Sequence, residues 1–160
     1  MNLKSILIVA VASLPLCSCL KDNKSNCAIV EGSPSITEVT NLRNYLTAKS
    51  ISATEDPRGF FYNIVFAGTG SESPALTDSV EVTYRGTLTD GTVFDSTATG
   101  ATIKYPLSGF ITGWQAGLRL IKKNGVIDLY LPPAHGYGCK AVGAIPAGSI
   151  TIFHVELRDF

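Results

Sequence analysis

The sequence predicts an α+β fold: a twisted antiparallel β-sheet of about five to six strands wrapped around one short helix. An N-terminal helix and a lipoprotein signal segment precede this unit. Two observations support the prediction. Most of the chain after residue 58 alternates between apolar and polar residues, as half-buried strands do, and only two segments show helical spacing. A chain of 160 residues with 45% apolar residues is typical of one globular domain with appendages.

The first helix is predicted at about residues 36–49. It begins at Ser35-Ile36-Thr37-Glu38, which has the form of a capping box. Apolar residues then recur at helical spacing: Ile36, Val39, Leu42 and Leu46. Because this stripe is narrow, we expect the helix to pack on the main domain, with dimerisation through the stripe as the alternative.

The second helix is predicted at residues 112–122, where Trp114, Leu118 and Ile121 fall on one face. Gly125 is expected to stop this helix. A sheet that curves around a helix needs a side chain to fill its hollow. We therefore expect Trp114 to form the floor of that hollow.

The strands are predicted from four alternating apolar sets. They are Phe60, Tyr62, Ile64 and Phe66; Val80, Val82 and Tyr84; Ile127, Leu129 and Leu131; and Thr151, Phe153, Val155 and Leu157. Asp90-Gly91 predicts a two-residue type I′ hairpin, because that turn needs a positive φ at both central positions. We expect most of these apolar side chains to lie in the core.

The chain begins with features of a bacterial lipoprotein signal segment, predicted at residues 1–18. Lys4 supplies the positive charge, and the apolar run that follows is too short to span a bilayer. Leu16-Cys17-Ser18-Cys19 resembles a lipobox, which makes Cys19 the expected lipidated first residue. The alternative is an ordinary secretory signal with incidental cysteines.

The anchor predicts a protein of the cell envelope, lipid-anchored to a membrane. Leu20 after Cys19 favours the outer membrane, with the periplasmic or surface face left open. Cys27 and Cys139 would then share an oxidising compartment, where they could pair or remain free thiols. The predicted organisation is a tether at 19–34, a helix and connector at 35–57, and the main domain at 58–160.

Several functional classes are not indicated. The formal net charge is zero and there is no basic run, so nucleic acid is not an expected partner. Two histidines and four cysteines without a suitable spacing do not predict a metal site. The Gly-x-Ser-x-Gly, Gly-x-x-x-x-Gly-Lys and Gly-x-Gly-x-x-Gly motifs are absent from the sequence, and we expect no cofactor.

Residues 80–114 carry aromatic side chains close in sequence to an acid, Asp95. The aromatic residues are Tyr84, Phe94, Tyr105, Phe110 and Trp114. This composition predicts a dry pocket that binds and reshapes a ligand rather than transferring protons. The alternative for Asp95 is a turn-capping role, in which it accepts from the amides of Ser96 or Thr97.

Five separated motifs resemble those of the FKBP-type peptidyl-prolyl isomerases, in the family's order and spacing over residues 58–160. They are Val82-Thr83-Tyr84-Arg85-Gly86, Asp90-Gly91-Thr92-Val93-Phe94-Asp95-Ser96, Phe110-Ile111-Thr112-Gly113-Trp114, Gly136-Tyr137-Gly138, and Ile145-Pro146 leading to Phe153-His154-Val155-Glu156-Leu157. The resemblance implies cis–trans isomerisation of X–Pro bonds in exported proteins. It also implies proline-containing segments as partners and a macrolide such as FK506 as an inhibitor.

The resemblance also implies roles for individual residues. The walls and floor around the proline ring would be Tyr84, Phe94, Trp114 and Phe153. Phe110 and Ile111 would line one rim, and the Ile111 amide would donate to a substrate carbonyl. The Tyr137 hydroxyl would reach the carbonyl near the rotating amide, and Asp95 would orient that region.

The chain departs from the family pattern at the rim of the predicted pocket. Ile103 and Tyr105, also predicted to bind substrate, occupy the strand where many members carry paired aromatic residues, and Phe110 is bulkier than the usual aliphatic residue. Two other functions remain open on this evidence: a chaperone of the same fold with weak or no turnover, and a ligand-binding lipoprotein that reuses the cleft.

Overall fold

A computed structural model describes residues 31–160. The predicted signal segment, Cys19, Cys27 and most of the tether lie outside the described residues. One sheet of seven antiparallel strands has the order β1-β2-β6-β7-β3-β4, with β5 paired to β3. The elements are α1 (Ile36–Ala48), β1 (Thr54–Glu55), β2 (Phe61–Phe66), β3 (Ser79–Leu88), β4 (Val93–Ser96), β5 (Ile103–Pro106), α2 (Thr112–Gly117), β6 (Val126–Leu131) and β7 (Thr151–Asp159).

This architecture confirms the predicted α+β class and the antiparallel sheet around a short helix. The strand count is higher than the predicted five to six, partly because β1 is a two-residue strand that sequence alternation cannot detect. Short 3₁₀ turns follow β5, α2 and β6, at Leu107–Gly109, Leu118–Leu120 and Pro133–His135. None of the helices among residues 31–160 is long and apolar enough to cross a membrane.

Two glycines bring α2 close to the sheet. A Cβ atom built on Gly113 would lie 2.5 Å from the Leu131 methyl groups, and one built on Gly117 would collide with Leu129. The main core fills the space between this helix and the strands, and it includes Phe60, Val80, Val82, Leu107, Trp114, Leu118, Ile127, Leu129, Leu131, Phe153, Val155 and Leu157. The predicted strands containing Ile127 and Phe153 are therefore confirmed, and so is their inward face.

The second helix is shorter than predicted. The α-helix ends at Gly117 and tightens into the 3₁₀ turn Leu118–Leu120, and Ile121 is already extended. Glycine has a low helix propensity, and the following chain is drawn away when the Lys122 amide donates to the Ala67 carbonyl at 2.9 Å. The prediction of a helix to residue 122 with Gly125 as its stop was wrong.

The inward face of β2 also differs from the prediction. The strand is present, but Phe60 lies just before it, and Ile64 and Phe66 are 38% and 51% exposed. A register shift between Ile64 and Phe66 ends the regular pairing with β6 there. Phe61, on the opposite face, is buried instead because α1 covers that side of the sheet.

The hairpin between β3 and β4 has a three-residue loop. The Leu88 amide donates to the Thr92 carbonyl at 2.9 Å, and the Gly91 amide donates to the Leu88 carbonyl at 3.0 Å. Gly91 has a φ of 90°, whereas Asp90 does not have a positive φ. The predicted two-residue type I′ turn was wrong. That turn needs a positive φ at both central residues, whereas this longer loop needs it only at Gly91.

The N-terminal helix is capped and packed as predicted. The Glu38 amide donates to Ser35 Oγ at 3.2 Å, and the Ser35 amide donates to Glu38 Oε2 at 2.7 Å. The buried members of its apolar stripe form a second cluster against β2 and β6: Leu42, Leu46, Phe61 and Tyr130. Packing on the main domain is confirmed, and dimerisation through the stripe stays untested.

Cys139 is disulfide-bonded. The other three cysteines of the chain lie outside the described residues. Cys139 is therefore not a free thiol. The pairing of Cys139 with Cys27 stays a prediction.

The packing of α1 makes a prediction about stability. Leu42→Ala should lower the free energy of unfolding by about 2–5 kcal/mol, because it opens a cavity between α1 and the sheet. Ile36→Ala, on the same helix but at a position 87% exposed, should change it by less than about 0.5 kcal/mol. Urea denaturation monitored by circular dichroism measures both values. Equal effects would show that α1 does not unfold with the main domain.

Candidate functional site

A cavity of about 220 Å³ opens between α2, β3, β4 and the segment after β6. Its lining residues come from five separate parts of the chain: Tyr84, Asp95, Gly109, Phe110, Ile111, Trp114, Tyr137 and Phe153. Seven of these eight are among the residues predicted from the sequence; Gly109 is the addition. The structure therefore brings together residues that are up to 69 positions apart, from Tyr84 to Phe153.

Trp114 is the floor of this cavity, as predicted. Three rings pack on its buried indole. Tyr84 and Phe153 meet it edge-on, with ring centroids 5.1 and 5.3 Å away, while Phe110 stacks on it at 4.8 Å with an interplanar angle of 24°. Edge-to-face and offset-stacked pairs are favourable arrangements of aromatic rings, so the floor and walls hold each other in place.

Phe94 supports the wall from behind rather than lining the cavity. Its ring meets Phe153 edge-on at 5.5 Å and Tyr137 edge-on at 5.9 Å. Gly86 on β3 makes room for it, because a Cβ atom there would lie 2.6 Å from Phe94 Cζ and 2.9 Å from Phe153 Cε1. Sequence reasoning quoted Gly86 within a motif but did not assign it this function.

The polar groups of the cavity are an aspartate and two phenols. Tyr84 Oη donates to Asp95 Oδ2 at 2.5 Å. The Thr97 amide donates instead to the Tyr84 carbonyl at 3.1 Å, so it does not support the turn-capping alternative for Asp95. Asp95 is held by a side chain of the cavity wall.

Both phenols stay neutral at physiological pH. Burial raises the pKa of Tyr84, and the hydrogen bond to Asp95 raises it further. Burial also raises the pKa of Tyr137, and the charge of Asp95 acts in the same direction. A phenol that keeps its proton can donate a hydrogen bond at all pH values at which the protein functions.

The rim is fixed by a residue that the sequence analysis did not identify. Gln115 Nε2 donates to the Phe110 carbonyl at 2.7 Å and to the Ser108 carbonyl at 3.1 Å. These bonds hold the turn before α2, next to Ile111, which lines the cavity. Because the amide of Gln115 reaches back five and seven residues, local spacing could not have revealed the contact.

The two predicted residues on β5 lie further out. Tyr105 is 53% exposed, and its ring packs edge-on against Phe110 with centroids 5.5 Å apart. Ile103 is two residues further along the strand and does not line the cavity. Over residues 31–160, no group of three His, Cys, Asp or Glu side chains is placed to hold a metal ion.

Comparison with known proteins identifies the class that this fold and cavity define. A family model described as FKBP-type peptidyl-prolyl cis-trans isomerase matches residues 70–158. This chain belongs to the FKBP-type peptidyl-prolyl cis-trans isomerase family. The match confirms the resemblance inferred from the five motifs.

Two curated bacterial isomerases are among the proteins that this chain resembles. The chain is 43% identical to FkpA of Escherichia coli K12 over 113 residues, which is 70% of this chain and 42% of FkpA. It is 41% identical to the isomerase Mip of Coxiella burnetii over 101 residues, which is 62% of this chain and 44% of Mip. The chain thus spans less than half the length of these curated relatives.

Solved structures agree with the fold. The crystal structure of E. coli FkpA aligns with a TM-score of 0.69 at 38% identity, covering 77% of this chain and 59% of that one. A peptidyl-prolyl isomerase from Pseudomonas syringae aligns with a TM-score of 0.66 at 25% identity, covering 79% and 96%.

The crowding at Gly86 makes a prediction. Gly86→Ala should lower the free energy of unfolding by about 1–3 kcal/mol, because the added methyl group displaces Phe94 or Phe153. The near-UV circular dichroism of the aromatic cluster should change as well. Thr87→Ala, one residue along the same strand and on its opposite face, is the control. An unchanged aromatic spectrum in Gly86→Ala would contradict the packing described here.

Proposed function

We propose that this protein is a peptidyl-prolyl cis–trans isomerase that accelerates rotation of X–Pro bonds in exported proteins. The observation that supports this most strongly is the cavity itself, in which aromatic rings enclose a small apolar space beside one hydroxyl–carboxylate pair. Family membership supports the same activity. The cavity is of a size that suits a proline ring and its flanking amide.

The chemistry follows from the nature of the amide bond. An X–Pro bond rotates slowly because resonance must be broken, with a barrier of roughly 18–20 kcal/mol. The twisted transition state has less charge separation than the planar ground state, so water favours the ground state. A dry aromatic cavity removes that preference and binds the twisted amide more tightly. A rate gain of about 10⁴–10⁶ needs about 5–8 kcal/mol of such differential binding.

The site residues divide this work between binding and orientation. The proline ring would rest on Trp114 between the walls formed by Tyr84 and Phe153. The Ile111 amide would donate to a substrate carbonyl, and the Tyr137 hydroxyl would donate near the rotating amide. Asp95 would orient the wall by accepting from Tyr84, which keeps the phenol ring at a fixed angle to the floor.

The proposed partners follow from this cavity and from the N-terminal sequence. Proline-containing segments of folding exported proteins would be the substrates, and a macrolide such as FK506 would compete for the same cavity. The lipobox-like sequence supports lipidation at Cys19 and anchoring in the cell envelope, with the outer membrane favoured by Leu20.

The activity is tested with a cis–trans isomerisation assay on a short X–Pro peptide. The wild-type protein should accelerate the reaction, and a macrolide should inhibit it. Asp95→Val should lower kcat/KM about tenfold or more, because the Tyr84 wall loses its hydrogen bond. Asp159→Val, at an exposed carboxylate at the end of β7, is the matched control and should keep the wild-type rate. No acceleration by the folded wild-type protein would overturn the proposed function.

The anchor is tested by metabolic labelling with a fatty acid in a bacterial host. The wild-type protein should incorporate the label and sediment with membranes, whereas Cys19→Ala should do neither. Cys27→Ala is the control and should be labelled like the wild type. Equal labelling of wild type and Cys19→Ala would refute lipidation at this position.

A further inference from the structure

His135 is a buried polar residue next to the cavity, and the proposed mechanism does not yet use it. It is 2% exposed and lies in the turn Pro133–His135, two residues before Tyr137. Buried polar groups destabilise a fold unless they are hydrogen-bonded, so a buried imidazole needs partners for both ring nitrogens. The structure provides both.

The partners define the tautomer of the ring. Nε2 lies 2.8 Å from the Arg58 carbonyl oxygen, which can only accept, so Nε2 carries the proton. Nδ1 of the neutral ring is then an acceptor, and it lies 3.2 Å from Thr112 Oγ1. The Thr112 hydroxyl therefore donates to His135 rather than to the Ala134 carbonyl, which lies farther away at 3.5 Å. One imidazole joins the connector before β2, the turn after β6 and the first residue of α2.

The Thr112–His135 hydrogen bond joins two residues that lie close in sequence to the two proposed hydrogen-bond donors of the cavity. Thr112 directly follows Ile111, the N-cap residue of α2, whose amide is the proposed donor to substrate. His135 itself precedes Tyr137, whose hydroxyl is the second proposed donor. The separation between these two donors therefore depends on the contact between Thr112 and His135.

The turn is also held from its other side. The Ala134 amide donates to Glu38 Oε1 on α1 at 3.1 Å, and the Gly32 amide donates to the Ala134 carbonyl at 2.9 Å. The Phe60 ring meets the imidazole edge-on, with centroids 5.5 Å apart. His135 thus has a fixed position from which it can hold Thr112.

We propose that His135 is a positioning residue that sets the spacing between the Ile111 amide and the Tyr137 hydroxyl by accepting a hydrogen bond from Thr112. This inference rests on the proposed isomerase function. It assigns to a histidine outside the cavity a part in substrate binding, through Thr112 and the start of α2. The sequence analysis assigned His135 no role.

The neutral ring is the competent form. Burial lowers the pKa of His135, and the Arg58 charge acts in the same direction. The hydrogen bond to the Arg58 carbonyl and the carboxylates of Asp56 and Glu38 oppose this shift without reversing it. Arg119 lines the same small cavity as the imidazole and is the other charged group on this side of α2. A proton on Nδ1 would remove the acceptor that Thr112 uses.

The sign of the pH effect follows. Because the pKa of His135 is lower in the folded protein than in the unfolded protein, acidification protonates the unfolded protein first. The free energy of unfolding therefore falls as the pH drops below about 6.5, the pKa in the unfolded protein, and it levels off below the pKa in the folded protein. The free energy of unfolding of the wild-type protein should therefore decline on acidification from pH 7 to pH 5. His135→Gln should show a shallower decline.

The test uses two substitutions that each keep one nitrogen position. His135→Asn keeps a polar group near Nδ1 and so can retain the bond to Thr112, whereas His135→Gln keeps one near Nε2 and retains only the bond to Arg58. We expect His135→Gln to raise KM for the X–Pro peptide about threefold to tenfold, the equivalent of one lost hydrogen bond, with kcat less affected. His135→Asn should restore most of the affinity.

His154→Gln is the matched control, because His154 is the only other histidine of the chain and binds Asp128 on the opposite, exposed face of the sheet. It should leave KM unchanged. Equal KM values for His135→Gln and wild type, or equal losses in His135→Gln and His135→Asn, would overturn the proposal.

A second pair of variants applies if His135→Gln does not fold. Thr112→Val removes the hydroxyl with little change of shape and should raise KM, whereas Thr112→Ser keeps the hydroxyl and should not. If the wild-type protein fails to accelerate isomerisation, the proposed function fails. The role of His135 is then tested by peptide affinity instead of KM, measured by the fluorescence of Trp114, the single tryptophan of the chain. Unchanged affinity in Thr112→Val would then count against the role of His135.

Discussion

The close approach of α2 to β6 is the constraint on which the rest of the site depends. The helix can approach because Gly113 and Gly117 present no side chain to Leu131 and Leu129. Trp114 lies between these glycines in sequence, so its height above the sheet is set by their contact. A larger residue at either position would lift the indole away from the rings that pack on it, because close-packed interiors have little room to adjust.

The aromatic cavity and its carboxylate are mutually dependent. Asp95 lines the cavity while staying exposed to solvent, and the Tyr84 hydroxyl donates to its Oδ2. The same bond fixes the Tyr84 ring at 81° to the indole of Trp114. One polar contact therefore gives the cavity wall a defined angle to its floor.

Much of the fold could be predicted because the alternation of apolar residues and the order of the motifs can be read directly along the sequence. Where apolar residues occupy adjacent positions, as at Phe60 and Phe61, alternation cannot decide which face is buried, and here α1 covers the second face of β2. The length of α2 was missed because helical periodicity continues past the point where Gly117 ends the α-helix. The contacts of His135 were out of reach, because they join residues 23 and 77 positions away.

The position of the N-terminal helix is coupled to the cavity through one carboxylate. Glu38 uses Oε2 to complete the capping box with Ser35 and Oε1 to accept from the Ala134 amide. The first turn of α1 and the turn that carries Tyr137 therefore share a side chain. Since α1 packs on the outer face of the sheet and α2 on the inner face, the strands between them are held from both sides. A displacement of α1 would have to break the Glu38–Ala134 bond or move the turn, so the helix contributes to the geometry of the cavity from a distance.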